Sequence, residues 1–204
     1  MNRIEILKDF WHDRHESLFA FLDFTHYSGP NATGKITRRT KQKCYSYVIN
    51  CIDILRVHIG QVSTAGIVDT GGTSRTVGTN TLVLGVTSAA ANNAYGIQLG
   101  TGTTAVAITQ TAMVTLIAEG AAATQLNYGA TSVSASATVG TTRRFTVART
   151  VTNNSGGTIT IQEVGLVWRA DASAWNFLAE RSLSTQAILN LASATATYTI
   201  GVTV

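Results

Sequence analysis

The stretch that decides the fold is RRFTVARTVTNNSGGTITIQEVGLVW, residues 143–168. Phe145, Val147, Arg149 and Val151 alternate with Thr146, Ala148, Thr150 and Thr152. A period of two over this length marks a half-buried strand. NNSGG (153–157) is a turn-forming run, and TITI (158–161) resumes the alternation. The local reading is a β-hairpin. Ile159 and Ile161 lie on one parity while Val164, Leu166 and Trp168 lie on the other. An inserted residue would cause this shift, so a bulge or bend is predicted within Gln162–Gly165. With the turn centred on Ser155, Arg149 falls opposite Ile161 and diagonal to Glu163. Long side chains reach across that diagonal, which predicts an Arg149–Glu163 ion pair.

Moving outward, residues 194–204 alternate in the same way, with Ala194, Ala196, Tyr198, Ile200, Val202 and Val204 on one face. Further strand candidates are 81–87, 94–99, 126–137 and 175–182. TAMVTLIAEG (111–120) places Met113, Leu116 and Ile117 at helical spacing and predicts a short helix. Many short strands with glycine-rich turns imply a mainly β chain, an antiparallel β-sandwich or jelly roll, over residues 61–204.

Residues 1–60 are written differently. Every lysine and histidine, both cysteines and the proline fall there. Ile4, Leu7, Phe10, Trp11, Leu18, Phe19 and Leu22 recur at three- and four-residue steps, predicting an amphipathic helix. HYSGPNATG (26–34) breaks it. Cys44, Val48, Cys51, Ile52, Leu55 and Ile59 predict a second helix ending at Gly60. The expected organisation is an α-helical N-terminal anchor, 1–60, preceding the β domain, 61–204.

Several motif-like patterns reduce to local structure. GPNATGK (29–35) has the spacing of a phosphate loop, but Ile36 stands where a Ser or Thr must reach Mg²⁺. HDRHE (12–16) sets its histidines three apart rather than the four a zinc-protease helix needs. Cys44, Cys51 and His58 are spaced by seven, about 10.5 Å along a helix, too far to share one zinc ion. They read as buried packing residues. GTGTTA (100–105) imitates a dinucleotide fingerprint without the βαβ unit that gives it meaning. Lys35, Arg38, Arg39, Lys41 and Lys43 form a basic cluster. A solvated helix start or an acidic partner surface is the favoured reading, with nucleic acid the weaker alternative.

The net charge is +4, and charged residues make up 13% of the chain against roughly 25% in a typical soluble protein. No run of eighteen uncharged apolar residues exists, which argues against a spanning helix or a membrane partner. A folded chain with so few charges suits life inside an assembly. Beyond residue 60 there is no His or Cys, and no carboxylate pair is marked for acid–base work. Neither an enzyme nor a cofactor is expected.

GIQLGTGTTAVAITQTAM (96–113), LNYGA (126–130), the 143–168 stretch, FLAERS (177–182) and ATATYTI (194–200) together resemble β-sandwich virion proteins of tailed bacteriophages. The shared pattern is a GTGxTAV loop, an aromatic-bearing strand ending in RTxTN, a glycine-rich turn and TIxExGL. The resemblance implies a non-enzymatic structural component of a virion, made in the host bacterial cytoplasm and homo-oligomeric, with other virion proteins as partners. Capsid decoration or cement, and neck, tail or baseplate positions, all fit it. A receptor- or glycan-binding tail module is the alternative, with Trp168, Trp175 and Tyr198 as its aromatic platform.

Overall fold

The computed structural model describes residues 18–44, 46–81, 83–170 and 175–203. The chain is mainly β, and the strand pairings among the described residues are antiparallel. In chain order the elements are β1 (Leu18–Tyr27), β2 (Ile36–Lys43), α1 (Ile49–Gly60), β3 (Thr64–Val68), β4 (Ser74–Val77) and β5 (Gly96–Gly100). There follow β6 (Asn127–Val133), β7 (Ala137–Val139), β8 (Thr142–Thr152), β9 (Ile159–Arg169), β10 (Asn176–Ile188) and β11 (Ser193–Thr203). One sheet runs β2-β1-β11-β8-β6, with β7 also on β8; a second runs β10-β9-β5; β3 and β4 form a small third.

β8 and β9 lie where the alternation predicts, but they do not pair with each other. β8 pairs with β11, β6 and β7, whereas β9 pairs with β10 and β5. The expected hairpin is therefore a crossing between sheets. Asn153, fully buried, organises the crossing. Its side-chain amide donates to the carbonyls of Gly157 (2.8 Å) and Ile188 (2.7 Å), and its Oδ1 accepts from Ser155 N–H (3.0 Å).

The shared core explains why crossing wins. Val147 and Val151 of β8 and Ala194, Ala196 and Tyr198 of β11 join Ile97 and Leu99 of β5 and Ile159, Ile161, Val164 and Leu166 of β9 in one buried cluster. Apolar faces of both sheets are thereby removed from water together. The predicted irregularity falls at Gln162, and the extra residue belongs to the partner strand. Leu183 faces Glu163 and Gln186 faces Ile161, so two residues of β10 oppose one of β9. Ile161 and Val164 both enter the core, and Glu163 between them turns to the 100–118 loop.

The N-terminal expectation needs correction. Residues 18–22, assigned to a helix, begin β1, which pairs with β11 along its whole length. The rest of that expected helix lies outside the described residues. Burial along β1 has a period of two: Ala20, Leu22, Phe24 and His26 are buried, and the residues between them are not. Strands on both sides of residue 60 thus share one sheet.

The second helix is present as α1, starting at Ile49 and ending at Gly60, with Gln61 in the left-handed region (φ 50°). Its Ile54 and Val57 pack with Ile67, Val77, Val83, Ala170 and Phe177. The helix expected over 111–120 is absent. Leu116 bridges Gly100 and Glu119 bridges Leu126, so that segment is irregular and partly extended. Of the other strand candidates, 94–99, 126–137 and 175–182 correspond to β5, β6 and β10, while the described residues of 81–87 contribute a bridge at Gly85 and no strand. No helix among the described residues is long and apolar enough to cross a membrane.

Candidate functional site

Glu163 on β9 and Arg181 on β10 are diagonal neighbours, because Arg181 faces Gly165 and Leu183 faces Glu163. Both side chains are 0% exposed, and Arg181 Nε donates to Glu163 Oε2 at 2.5 Å. The same carboxylate accepts backbone N–H groups from Gly102 (3.1 Å), Val114 (3.1 Å) and Thr115 (2.7 Å). Arg181 continues outward, donating to Thr104 O and Gln110 Oε1, each at 3.0 Å. Burial alone would raise the Glu163 carboxyl. The Thr115 amide, Arg181 and the Val114 amide outweigh burial and hold its pKa below the ordinary value.

The glycines of GTGTTA belong to this cluster. A Cβ on Gly102 would lie 2.6 Å from Glu163 Oε1, and one on Gly100 would lie 2.6 Å from Thr115 O. The loop backbone passes directly over the carboxylate, which only glycine permits. Irregular backbone here has buried amides to satisfy, and one carboxylate meets three of them.

The expected Arg149–Glu163 pair is therefore replaced on both sides. Arg149, 1% exposed, donates to the carbonyls of Gly129 (2.9 Å), Ile97 (3.0 Å), Tyr95 (3.2 Å) and Asn92 (2.5 Å). Its guanidinium also lies 4.7 Å over the Tyr128 ring. The physical reason is the crossing at 153–158: the diagonal geometry holds only if β8 and β9 share a sheet.

On the face of β10 towards β11 sits Glu180, buried, accepting from Tyr198 OH (2.5 Å) and from Ser182 Oγ. Burial pushes its carboxyl up to about 7, against the two hydroxyl hydrogen bonds and the Arg181 charge, which lower it. Cys44 and Cys51 are nearby and buried, as the sequence predicts. Burial, then the Glu180 charge, pushes their thiols up to about 12 and about 11. Both cysteines are thus thiols near neutral pH. Cys44 precedes α1, so it shares no helical stripe with Cys51 and His58. The described residues include no cluster of three or more His, Cys, Asp or Glu placed to hold a metal. HDRHE (12–16) lies outside them.

Of the basic cluster, Lys35 precedes β2 and Arg38, Arg39, Lys41 and Lys43 lie on it. All are exposed, on or just before the edge strand of the large sheet rather than at a helix start. Lys41 Nζ stands 4.3 Å over Phe21. Charge on an edge strand discourages strand addition by other chains. GPNATGK forms the surface turn between β1 and β2, closed by Ser28 N–H to Lys35 O at 3.0 Å.

Trp168, Trp175 and Tyr198 do not form a shared platform. Tyr198 is 1% exposed with its hydroxyl on Glu180, while both tryptophans are half-buried against the α1 core. Arg181 and Glu180 are the residues that sequence reasoning missed. Two adjacent charges inside the apolar strand FLAERS were the available signal.

Comparison with protein-family models, with curated proteins and with solved structures finds no match.

Proposed function

We propose that this chain is a β-sandwich structural protein without enzymatic activity, assembling in many copies through protein–protein contacts as a component of a tailed-bacteriophage virion. The sandwich reading rests on the core shared by the two larger sheets and on the cross-sheet bonds His26–Gln186 (3.0 Å) and Tyr198–Glu180. Capsid decoration or cement, and the neck, tail or baseplate, are its candidate places.

The observation that carries the assembly reading is an apolar face on α1. Ile49, Ile52 and Ile59 fall within one side of the helix at 100° per residue, and they are 42%, 62% and 81% exposed. Ile108, 68% exposed, adjoins them, because its carbonyl accepts from Ile49 N–H at 2.8 Å. Exposed apolar residues grouped in this way suit a contact with another protein. The motifs that carry the virion resemblance meet at Glu163, Arg181, Gly100 and Gly102, where they hold a loop in place. A cluster that holds a loop is consistent with a structural reading and supports it.

Light scattering coupled to size exclusion tests the proposal. The wild-type chain is expected to elute as a multimer, and the I52E/I108E variant as a folded monomer. A wild-type monomer at every concentration overturns the assembly reading. Cryo-electron microscopy of particles tests the virion assignment directly: density for this chain at repeated positions supports it, and no such density overturns it.

A further inference from the structure

A cavity of about 590 Å³ lies between the last turn of α1, the end of β9 and the 83–87 segment. Its lining includes His58, Val83, Leu84, Thr87, Tyr95 and Arg169. Small-molecule sites span roughly 300–1,000 Å³, so the size fits one.

The polar groups of this cavity have hydrogen-bonding capacity that the described residues leave unused. Arg75, Arg149 and Arg181 each have hydrogen-bond acceptors within the protein. The Arg169 guanidinium instead lies 4.8 Å over the Tyr95 ring, and no described residue accepts a hydrogen bond from it. His58 Nε2 is buried without a partner. A buried polar atom left unmet is destabilising, and a bound ligand atom removes that penalty. The Tyr95 hydroxyl is engaged with Thr87 O at 3.2 Å, so its ring is what it adds to the lining. Val83 is buried and Leu84 is 45% exposed.

We propose that this cavity binds a small carboxylate with an apolar or aromatic body. Arg169 presents the planar fork of N–H donors that matches a carboxylate, and His58 Nε2 supplies a further hydrogen bond. Val83, Leu84 and the Tyr95 ring take the apolar body. A sugar acid is a poorer match: each buried ring hydroxyl needs a partner, and beyond His58 and Arg169 the lining offers the Thr87 hydroxyl and a Tyr95 hydroxyl already engaged with Thr87 O. The site goes beyond the assembly role and does not depend on it.

Isothermal titration of the full-length chain with naphthalene-1-acetate and with its uncharged amide tests the assignment. The acid is expected to bind at least about tenfold more tightly than the amide, the difference a charge-assisted pair supplies. Arg169→Gln should remove that difference and leave the thermal midpoint near wild type, because no described residue accepts a hydrogen bond from the guanidinium. Leu84→Trp, at an exposed position, should narrow the cavity and weaken acid and amide alike. Equal binding of acid and amide overturns the proposal, as does no binding of the acid up to about 1 mM. Acid binding unchanged in R169Q, or glucuronate binding more tightly than naphthalene-1-acetate, overturns it equally.

Discussion

The two faces of the β9–β10 pair each bury a glutamate, and the two side chains are treated in opposite ways. Towards the 100–118 loop, Glu163 meets an arginine and three backbone amides, and its pKa is lowered. Towards β11, Glu180 meets two hydroxyls, and its pKa is raised to about 7. Both carboxyls are closed off from solvent, but Glu180 lies deeper in the protein and burial raises it further. The number and charge of the donors act in the same sense: four N–H groups, one of them cationic, at Glu163 against two neutral O–H groups at Glu180. On one face the charge holds a loop together. On the other it is disfavoured.

The sharpest way to break this comparison is to remove each carboxylate in turn. Glu163→Leu leaves Arg181 buried without its partner and three amides without an acceptor. Urea unfolding should show a loss of about 3–5 kcal/mol. E163L/R181M should recover part of that loss, since replacing a whole buried pair is far milder than halving it. A loss below about 1 kcal/mol in E163L would mean that the cluster does not hold the loop.

Glu180→Gln should act in the other direction above neutral pH. The folded state keeps its proton up to about 7, while the unfolded chain releases it near the ordinary 4.5. The folded state therefore binds more protons between these values, and wild-type stability falls as pH rises through the window. The difference corresponds to a contribution on the order of 3 kcal/mol, fully present below pH 4.5 and lost above about 7. E180Q should flatten that slope in urea midpoints measured between pH 5 and 8. Glu163 and Asp69, both lowered, contribute the opposite dependence, losing stability as pH falls through their depressed values. A slope unchanged in E180Q would sink the assignment.

The smallest expected effect separates two glycines. Gly102→Ala drives a Cβ to 2.6 Å from Glu163 Oε1 and should cost about 1–3 kcal/mol. Gly157→Ala, with nothing within 4 Å and no left-handed φ, should stay within about 0.5 kcal/mol. Equal thermal shifts for the two would show that the loop does not press on the carboxylate.

How much could be read in advance depended on how local the signal was. β8 and β11 were legible because one face of each is largely buried and the other is threonine-rich, so the alternation survives in the sequence; β9 was legible from its apolar residues at period two, Ile159 and Ile161, then Val164, Leu166 and Trp168. β1 was not. In LFAFLDF (18–24) apolar residues occupy both faces, and period two and period three-to-four fit equally well. The 111–120 segment misled for another reason. Met113, Leu116 and Ile117 have helical spacing, but Glu163 takes the amides of Val114 and Thr115 and holds them out of a helix.

The amino-acid sequence by itself determined that the chain is mainly β, where its long C-terminal strands lie, and that a helix ends at Gly60. Tertiary structure alone decided which strands pair, which cation meets Glu163 and why Glu180 holds its proton. NNSGG can close a hairpin or cross between sheets with the same local conformation, so the turn does not choose. The choice comes from contacts between residues far apart in the chain, such as His26 with Gln186 and Arg149 with the 92–97 carbonyls. These contacts exist only once both sheets have closed on their common core.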